Sequence, residues 1–433
     1  MKFTAVGDIL IQKKINEDYK GFEQLTPFIE RGDARFFNLE TTINEEGECF
    51  ASQFSGGTYL RTSKKVFESL KGFKFNMTSF NNNHLLDFSY EGLYNTYKTV
   101  EESGLVHSGV GYNLSEASAP RYLQTENGRV ALISVNTSFD PSMMAGKQTS
   151  RVKGRPGING LRIDEKIIVT EEELEFIKGL AKRTGVNCEK EIDIKSGYEL
   201  AYPDNEAFFG NVRFVAGDCD KQVLTVKQKD SDRVLKAIEE AKWAADEVLI
   251  SIHTHQLDGM STENIPEFVK KFAHDCIDAG ATAIIGHGPH LLRGIEVYKE
   301  CPIFYSLGDF VLQLYDVELA PADFYDKYGV SSDESVYNLL KKRSKDFTIG
   351  LMEDPKMSEA VIPYWERENG KLKCIELLPV KACMSGNKAE SGLPFIAEDQ
   401  SFMERLDELS KPLGTRIVKN NNIYICKWNK EEK

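Results

Sequence analysis

Two short stretches in the second half of the chain hold four of its seven histidines: Ser251-Ile252-His253-Thr254-His255 and Gly286-His287-Gly288-Pro289-His290. Neutral imidazole is the commonest metal ligand, so paired histidines in two such stretches point to a metal site. Earlier in the chain stand Asp8, Glu40 and Asn83-His84. A carboxylate able to bridge, one amide oxygen and several imidazoles are the donors that two adjacent divalent ions need in a hydrolytic site. Such ions orient a substrate and generate hydroxide from water near neutral pH.

Each candidate follows an apolar run. Val248-Leu249-Ile250 precedes the first histidine stretch and Ala283-Ile284-Ile285 the second, and such runs form buried parallel strands. Phe3–Val6 leads to Gly7-Asp8, Ala34–Phe37 to Asn38-Leu39-Glu40, and Phe75–Phe80 to Asn81–His84. Ligand sites of open α/β sheets form at the carboxyl ends of strands. Helices are expected at Phe22–Glu30, Ser63–Lys71, Tyr90–Ser103, Asp232–Asp246 and Glu263–Ala279. Their alternation with strands implies parallel βαβ units. Asn127-Gly128 between Arg121–Glu126 and Arg129–Asn136 signals a tight hairpin.

Apolar content of 41% and charged content of 28% over 433 residues describe an ordinary globular protein, of one large domain with additions or of two domains. A net charge of −13 argues against general affinity for nucleic acid or an anionic membrane. The eight cysteines are scattered, with no C-x-x-C pair, which excludes a disulfide scaffold and a zinc ribbon. The first residues read at once as a strand and no window approaches a membrane span, so a cytoplasmic location is expected. No G-x-G-x-x-G follows the first strand, which counts against a Rossmann-type nucleotide binder.

Gly154–Arg162 carries Arg155, Asn159 and Arg162 among three glycines. The loop suits a bidentate grip on an acidic substrate, and it equally suits a plain surface turn. Residues 164–230 read as an inserted lid or arm: a helix capped by Thr170 and Glu173, then a polar stretch. Beyond residue 315 a charged helical segment, Pro321–Lys345, precedes strands near Phe347–Met352, Glu359–Trp365 and Leu372–Leu378, then a helix at Ser401–Ser410 and a strand at Ile423–Trp428. His107 and His274 read as ordinary loop or helix residues, and Arg293 as either an anion contact or an exposed ion pair.

The stretches Val6-Gly7-Asp8, Asn38-Leu39-Glu40, Asn82–Asp87, Gly286–His290 and Tyr305–Phe310 resemble the capsule-synthesis CapA family, the poly-γ-glutamate-associated branch of the calcineurin-like metallophosphoesterases. The resemblance covers residues 1–380. It implies an α/β (α+β) fold, a four-layer sandwich of two mixed sheets flanked by helices. A core at residues 1–315 would hold the insertion, residues 316–380 would complete the sandwich, and residues 381–433 would form an extension. It implies one or two divalent ions (Mn, Zn or Fe), with Asp8 on one, Glu40 as bridge, Asn83 and His253 on the second, and His287 and His290 divided between them. His84, oriented by Asp87, would donate a proton to the leaving group.

The chain also departs from the pattern. Asp8-Ile9-Leu10 stands where relatives of this fold have Asp-x-His, so one ion is weakly held, or the site is mononuclear, or His255 supplies the ligand from the same strand face as His253. Asp309 replaces the usual Asn, as a carboxylate near the site or a turn cap. The resulting expectation is a metal-dependent hydrolase of an acidic γ-glutamyl or phosphoester substrate, small or polymeric, linked to capsule metabolism. The alternative is a metal-containing scaffold that binds capsule polymer without efficient turnover.

Overall fold

The computed structural model describes residues 1–350, 353–384 and 389–428. These fall into two compact units, Met1–Leu161 with Asp232–Lys433, and Arg162–Ser231.

The Lys2–Leu10 strand lies inside the larger sheet of the first unit, whose order is Thr415–Asn420, Ile423–Trp428, Lys371–Ala382, Glu359–Glu368, Lys2–Leu10, Ala34–Leu39, Met77–Ser79 and Val106–Ser108. Asp309–Leu312 joins beside Lys2–Leu10. The second sheet runs Leu292–Tyr298, Cys301–Leu307, Ala283–His287, Glu247–His253, Gly128–Asn136 and Arg121–Thr125. Both are mixed. The strands that precede the candidate residues pair in parallel, and antiparallel hairpins extend the edges. The fold is therefore mixed α/β.

Strand alternation explains the packing. Phe3, Ala5 and Phe36 point from the large sheet into one core with Leu249, Ile285 and Phe304 of the smaller sheet. Their neighbours Val6 and Phe37 point the other way, onto Leu25 and Ile29 of the Lys20–Ile29 helix and Leu93, Tyr97 and Val100 of Ser89–Ser103. The sheets thus share an apolar interior, and the ends of their parallel strands meet at its rim.

One bulge matters for the site. Lys2–Leu10 pairs with Glu359–Glu368 through Lys2–Thr4 and with Asp309–Leu312 through Asp8–Leu10, and its register against Ala34–Leu39 slips between Ala5 and Asp8. Gly7 sits at this handover. A Cβ there would lie 1.9 Å from the Gly308 carbonyl oxygen, so only glycine permits the approach.

Three sequence expectations are corrected. In the Arg162–Ser231 unit the helix capped by Thr170 and Glu173 is present as Glu171–Thr184, but what surrounds it is not a plain polar stretch: a second helix, Cys188–Lys195, and a four-stranded sheet, Glu206–Phe209, Val212–Ala216, Ile163–Val169 and Lys221–Val226. The helical segment after residue 320 is two helices, Ala322–Tyr328 and Val336–Arg343. Residues 347–350 make turns, not the expected strand, and its last two residues lie outside the described ones. No helix among the described residues is long and apolar enough to cross a membrane.

Candidate metal centre

His253 and His287 end adjacent parallel strands and face each other in register. Asp8 is likewise in register with Asn38 on one side and Asp309 on the other. Glu40 follows its strand by one residue, and Asn83 and His84 sit in the turns after Met77–Ser79. The structure brings all eight together: Asp8, Glu40, Asn83, His84, His253, His255, His287 and His290.

Glu40 is fully buried, and neither carboxylate oxygen has a hydrogen-bond partner among the described residues. Four imidazole Nε2 atoms surround its Oε1: His253 and His290 at 3.7 Å, His84 and His255 at 3.8 Å. These separations exceed hydrogen-bond length, yet two ligands each about 2 Å from one shared ion stand roughly 3–4 Å apart. A buried carboxylate without a donor costs several kcal/mol unless a cation answers it. The donor set therefore fits a divalent ion.

Around this centre the contacts are short. His253 Nε2 lies 2.6 Å from Asn83 Oδ1 and 3.0 Å from His255 Nε2. Its Nδ1 is 2.9 Å from His287 Nδ1 and 3.9 Å from Asp8 Oδ1. His287 Nδ1 is 3.4 Å from the same oxygen. Three triplets offer one ligand atom each within a 4.8 Å span: Asp8, His253 and His287; Glu40, His253 and His255; Asp8, His290 and Asp309.

A second ring of polar groups orients these donors. Ser251 Oγ meets His287 Nε2 at 2.7 Å, which turns Nδ1 toward Asp8. Asp309 Oδ1 takes His290 Nδ1 at 3.0 Å, which turns Nε2 toward Glu40. Asn38 Nδ2 and the Gly288 amide donate to the two Asp8 oxygens at 2.6 and 2.8 Å. Asp87 holds His84 Nδ1 at 2.7 Å and is itself fixed by the Gly56 and Leu60 amides. Carboxylate and hydroxyl partners of this kind set the tautomer and basicity of ligating histidines.

Within the cluster the shifts run in both directions. Burial, with the Asp8 charge added, drives Glu40 well above the carboxylate range. Burial alone would raise Asp8 too, but His287, His253 and His290 hold it well below its ordinary value. Burial holds His253 and His255 well below theirs, helped by the neighbouring imidazoles, and the neutral form is the one that binds metal. His290 is raised to about 10 against its burial by Asp309 and Glu40, while burial lifts Asp309 to about 6 against the pull of His290.

His255 reaches the cluster by a route other than a strand face. The Glu247–His253 strand stops at His253, and His255 is carried on the following loop, its amide donating to Ser138 Oγ at 2.7 Å. The three residues expected to bind substrate are engaged elsewhere. Asn159 is buried, donating to the Ser134 carbonyl and accepting from Arg233. Arg155 is exposed with Nε on the Met144 carbonyl. Arg162 pairs through two nitrogens with Asp230. Asn38 and Ser251 stand in the stretches that carry Glu40 and His253 but were not named as site residues, and Arg293 was read only as an anion contact or an exposed ion pair; the fold reveals their contacts.

Comparison with known proteins follows the same lines. The model of the family described as bacterial capsule synthesis protein PGA_cap matches residues 2–314. A Sinorhizobium fredii protein called "Uncharacterized protein y4sH" is 32% identical over 98% of this chain and 92% of its own. "Capsule biosynthesis protein CapA" of Bacillus anthracis is 23% identical over 72% of this chain and 59% of its own length. "PGA biosynthesis protein CapA" of Bacillus subtilis is 25% identical over 71% and 62%. A hypothetical protein from Thermus thermophilus aligns in its crystal structure over 88% of this chain and 99% of its own, at 10% identity and a TM-score of 0.39, too slight a likeness to bear on the fold. With most of its length matched by the family model, and the buried cluster falling inside that span, the chain belongs to the bacterial capsule synthesis protein PGA_cap family.

Proposed function

We propose that the chain is a metal-dependent hydrolase of an acidic substrate, a γ-glutamyl polymer or peptide or a phosphoester, serving capsule or poly-γ-glutamate metabolism. The observation that carries this reading is Glu40, a buried carboxylate with no hydrogen-bond donor among the described residues and four imidazole nitrogens turned toward it. Relatives whose names refer to capsule and PGA biosynthesis support the metabolic link. In this reading the two mixed sheets and their helices make a four-layer sandwich, and Mn, Zn or Fe fills one or two positions. Asp8 and His287 would hold one ion and Asn83, His253 and His255 the other, with Glu40 shared and His290 completing the set.

An ion so bound supplies a Lewis acid for the scissile group and acidifies a water molecule. The chain does the rest. A cleft of about 350 Å³ reaches the cluster at Asn83 and His255, walled by Phe54, Leu86, Phe139 and Met143. His84 presents Nε2 toward the centre while Asp87 fixes Nδ1, so a proton on Nε2 is aimed at a leaving group. His84→Asn is expected to keep its metal and lose about 10²–10⁴ in turnover, and Asp87→Asn about 10–100-fold. Metal analysis beside kinetics checks both, since loss of metal in His84→Asn contradicts the assigned role.

The decisive test is metal content of the purified protein together with turnover of p-nitrophenyl phosphoesters and γ-glutamyl amides. Stripping the ion is expected to lower the midpoint of thermal unfolding. Metal restored at 100 times its dissociation constant returns about 2.7 kcal/mol, and an unchanged melting curve would count against a resident ion. Leu10 favours a second reading, a metal-containing protein that binds capsule polymer without turnover. Metal binding with no hydrolysis of either substrate class selects it.

A further inference from the structure

Arg293, three residues past His290, is fully buried. No carboxylate among the described residues pairs with it: its Nε donates to the Thr262 carbonyl and one Nη to the Gln256 carbonyl, each at 3.0 Å, and the other Nη has no partner there. It is therefore not the exposed ion pair that the sequence allowed. A guanidinium buried without a counter-charge costs several kcal/mol, more than two neutral acceptors return in stability.

The two carbonyls it grips are the two ends of a single loop, Gln256–Thr262, which begins one residue after His255. The large apolar side chains of that loop do not hold it down. Leu257 is 48% exposed and Met260 is fully exposed. Its internal ties are polar and lead to His255. The Gln256 side chain accepts hydroxyls from Thr137, Ser138 and Thr254 and donates to the Thr137 carbonyl. Ser138 Oγ in turn accepts the His255 amide. Arg293 closes this network from the side of the Leu292–Tyr298 strand, in the segment that also carries His290, whose ring lies 5.2 Å from that of His255.

We infer that Arg293 is a positioning residue for the metal centre, clamping both ends of the Gln256–Thr262 loop so that His255 Nε2 is held among the ligands. The inference rests on the reading of the cluster as a metal site. It explains why a histidine beyond the end of its strand stands 3.0 Å from His253 Nε2. It also explains why a charge is kept where a neutral side chain would pack: guanidinium alone offers two separate donors in a fixed fork, one for each end of the loop.

The test is cobalt binding to the metal-stripped full chain, by calorimetry and by the visible spectrum of the bound ion. Arg293→Met is expected to weaken the cobalt site that includes His255 by about tenfold or more and to change its spectrum, with circular dichroism unaltered. His255→Asn should do the same, and the double variant should bind within about twofold of His255→Asn alone, because coupled residues do not add. Arg293→Lys, able to hold one carbonyl, should fall between, and it supplies the same cycle if Arg293→Met does not fold. Wild-type affinity and spectrum in the Arg293 variants, or losses that multiply in the double variant, overturn the inference. Wild-type protein that takes up no cobalt overturns the metal reading itself.

Discussion

His253→Ala is expected to give a folded protein that retains under about a tenth of the wild-type metal and has lost about 10³-fold in turnover. His253 belongs to two of the three ligand triplets, and its ring touches both halves of the centre: Nδ1 faces His287 and Asp8, Nε2 faces Asn83, His255 and Glu40. Removing Asp8 or Glu40 instead would take away a negative charge along with a donor and leave cationic neighbours uncompensated. Removing His253 loosens both positions and takes away no charge, since burial keeps the imidazole neutral. Strand register survives because the backbone of His253 still pairs with Asn136 and His287. Elemental analysis of the purified variant, with its melting curve as the control, decides the matter. Full metal occupancy in a folded His253→Ala protein would remove this residue from the centre.

Gly7→Ala should be the most damaging single methyl group in the site region, costing roughly 3 kcal/mol or more and yielding little soluble protein. The added carbon would lie 1.9 Å from the Gly308 oxygen and 3.3 Å from Leu307 Cβ, and backbone cannot yield as a side-chain tip can. Gly308 has a φ of +75° and itself abuts the Glu359 carbonyl, so it cannot back away. Gly47→Ala is the control: its φ is +73° but nothing lies within 4 Å, so only the conformational cost of about 1 kcal/mol applies. Denaturant titration of the two variants separates collision from strain. Equal costs would mean that the close approach at Gly7 is not what requires glycine.

The centre was legible to the extent that its residues end apolar runs. Asp8, Glu40, His253 and His287 each follow a strand-forming segment, and the apolar run announces the position. His255 was legible as a donor but not in its route, because no residue marks the strand's end at His253. The hairpin joined by Asn127-Gly128 was readable from the turn. The Leu292–Tyr298 strand was not, since its turn is made by Lys299 and Glu300 at φ of +48° and +61°, residues that carry no such signal. The sheet of the Arg162–Ser231 unit hid for another reason: its strands are mostly half-buried or exposed and show no clean alternation. For Arg155, Asn159 and Arg162, a composition fit for gripping anions says nothing about local partners such as Asp230 for Arg162 and Arg233 for Asn159.

The handover along Lys2–Leu10 has a consequence for biosynthesis. A strand made among the first residues obtains its neighbours on one side only from Asp309–Leu312 and Tyr364–Glu366. At ribosomal speeds of roughly 5–20 residues per second, those partners follow it by on the order of 20–70 s. Throughout that interval one edge of this strand has no native mate, an opening for wrong pairing that chaperones answer. The nascent protein therefore brings the candidate residues together late, after nearly the whole of the matched region has emerged.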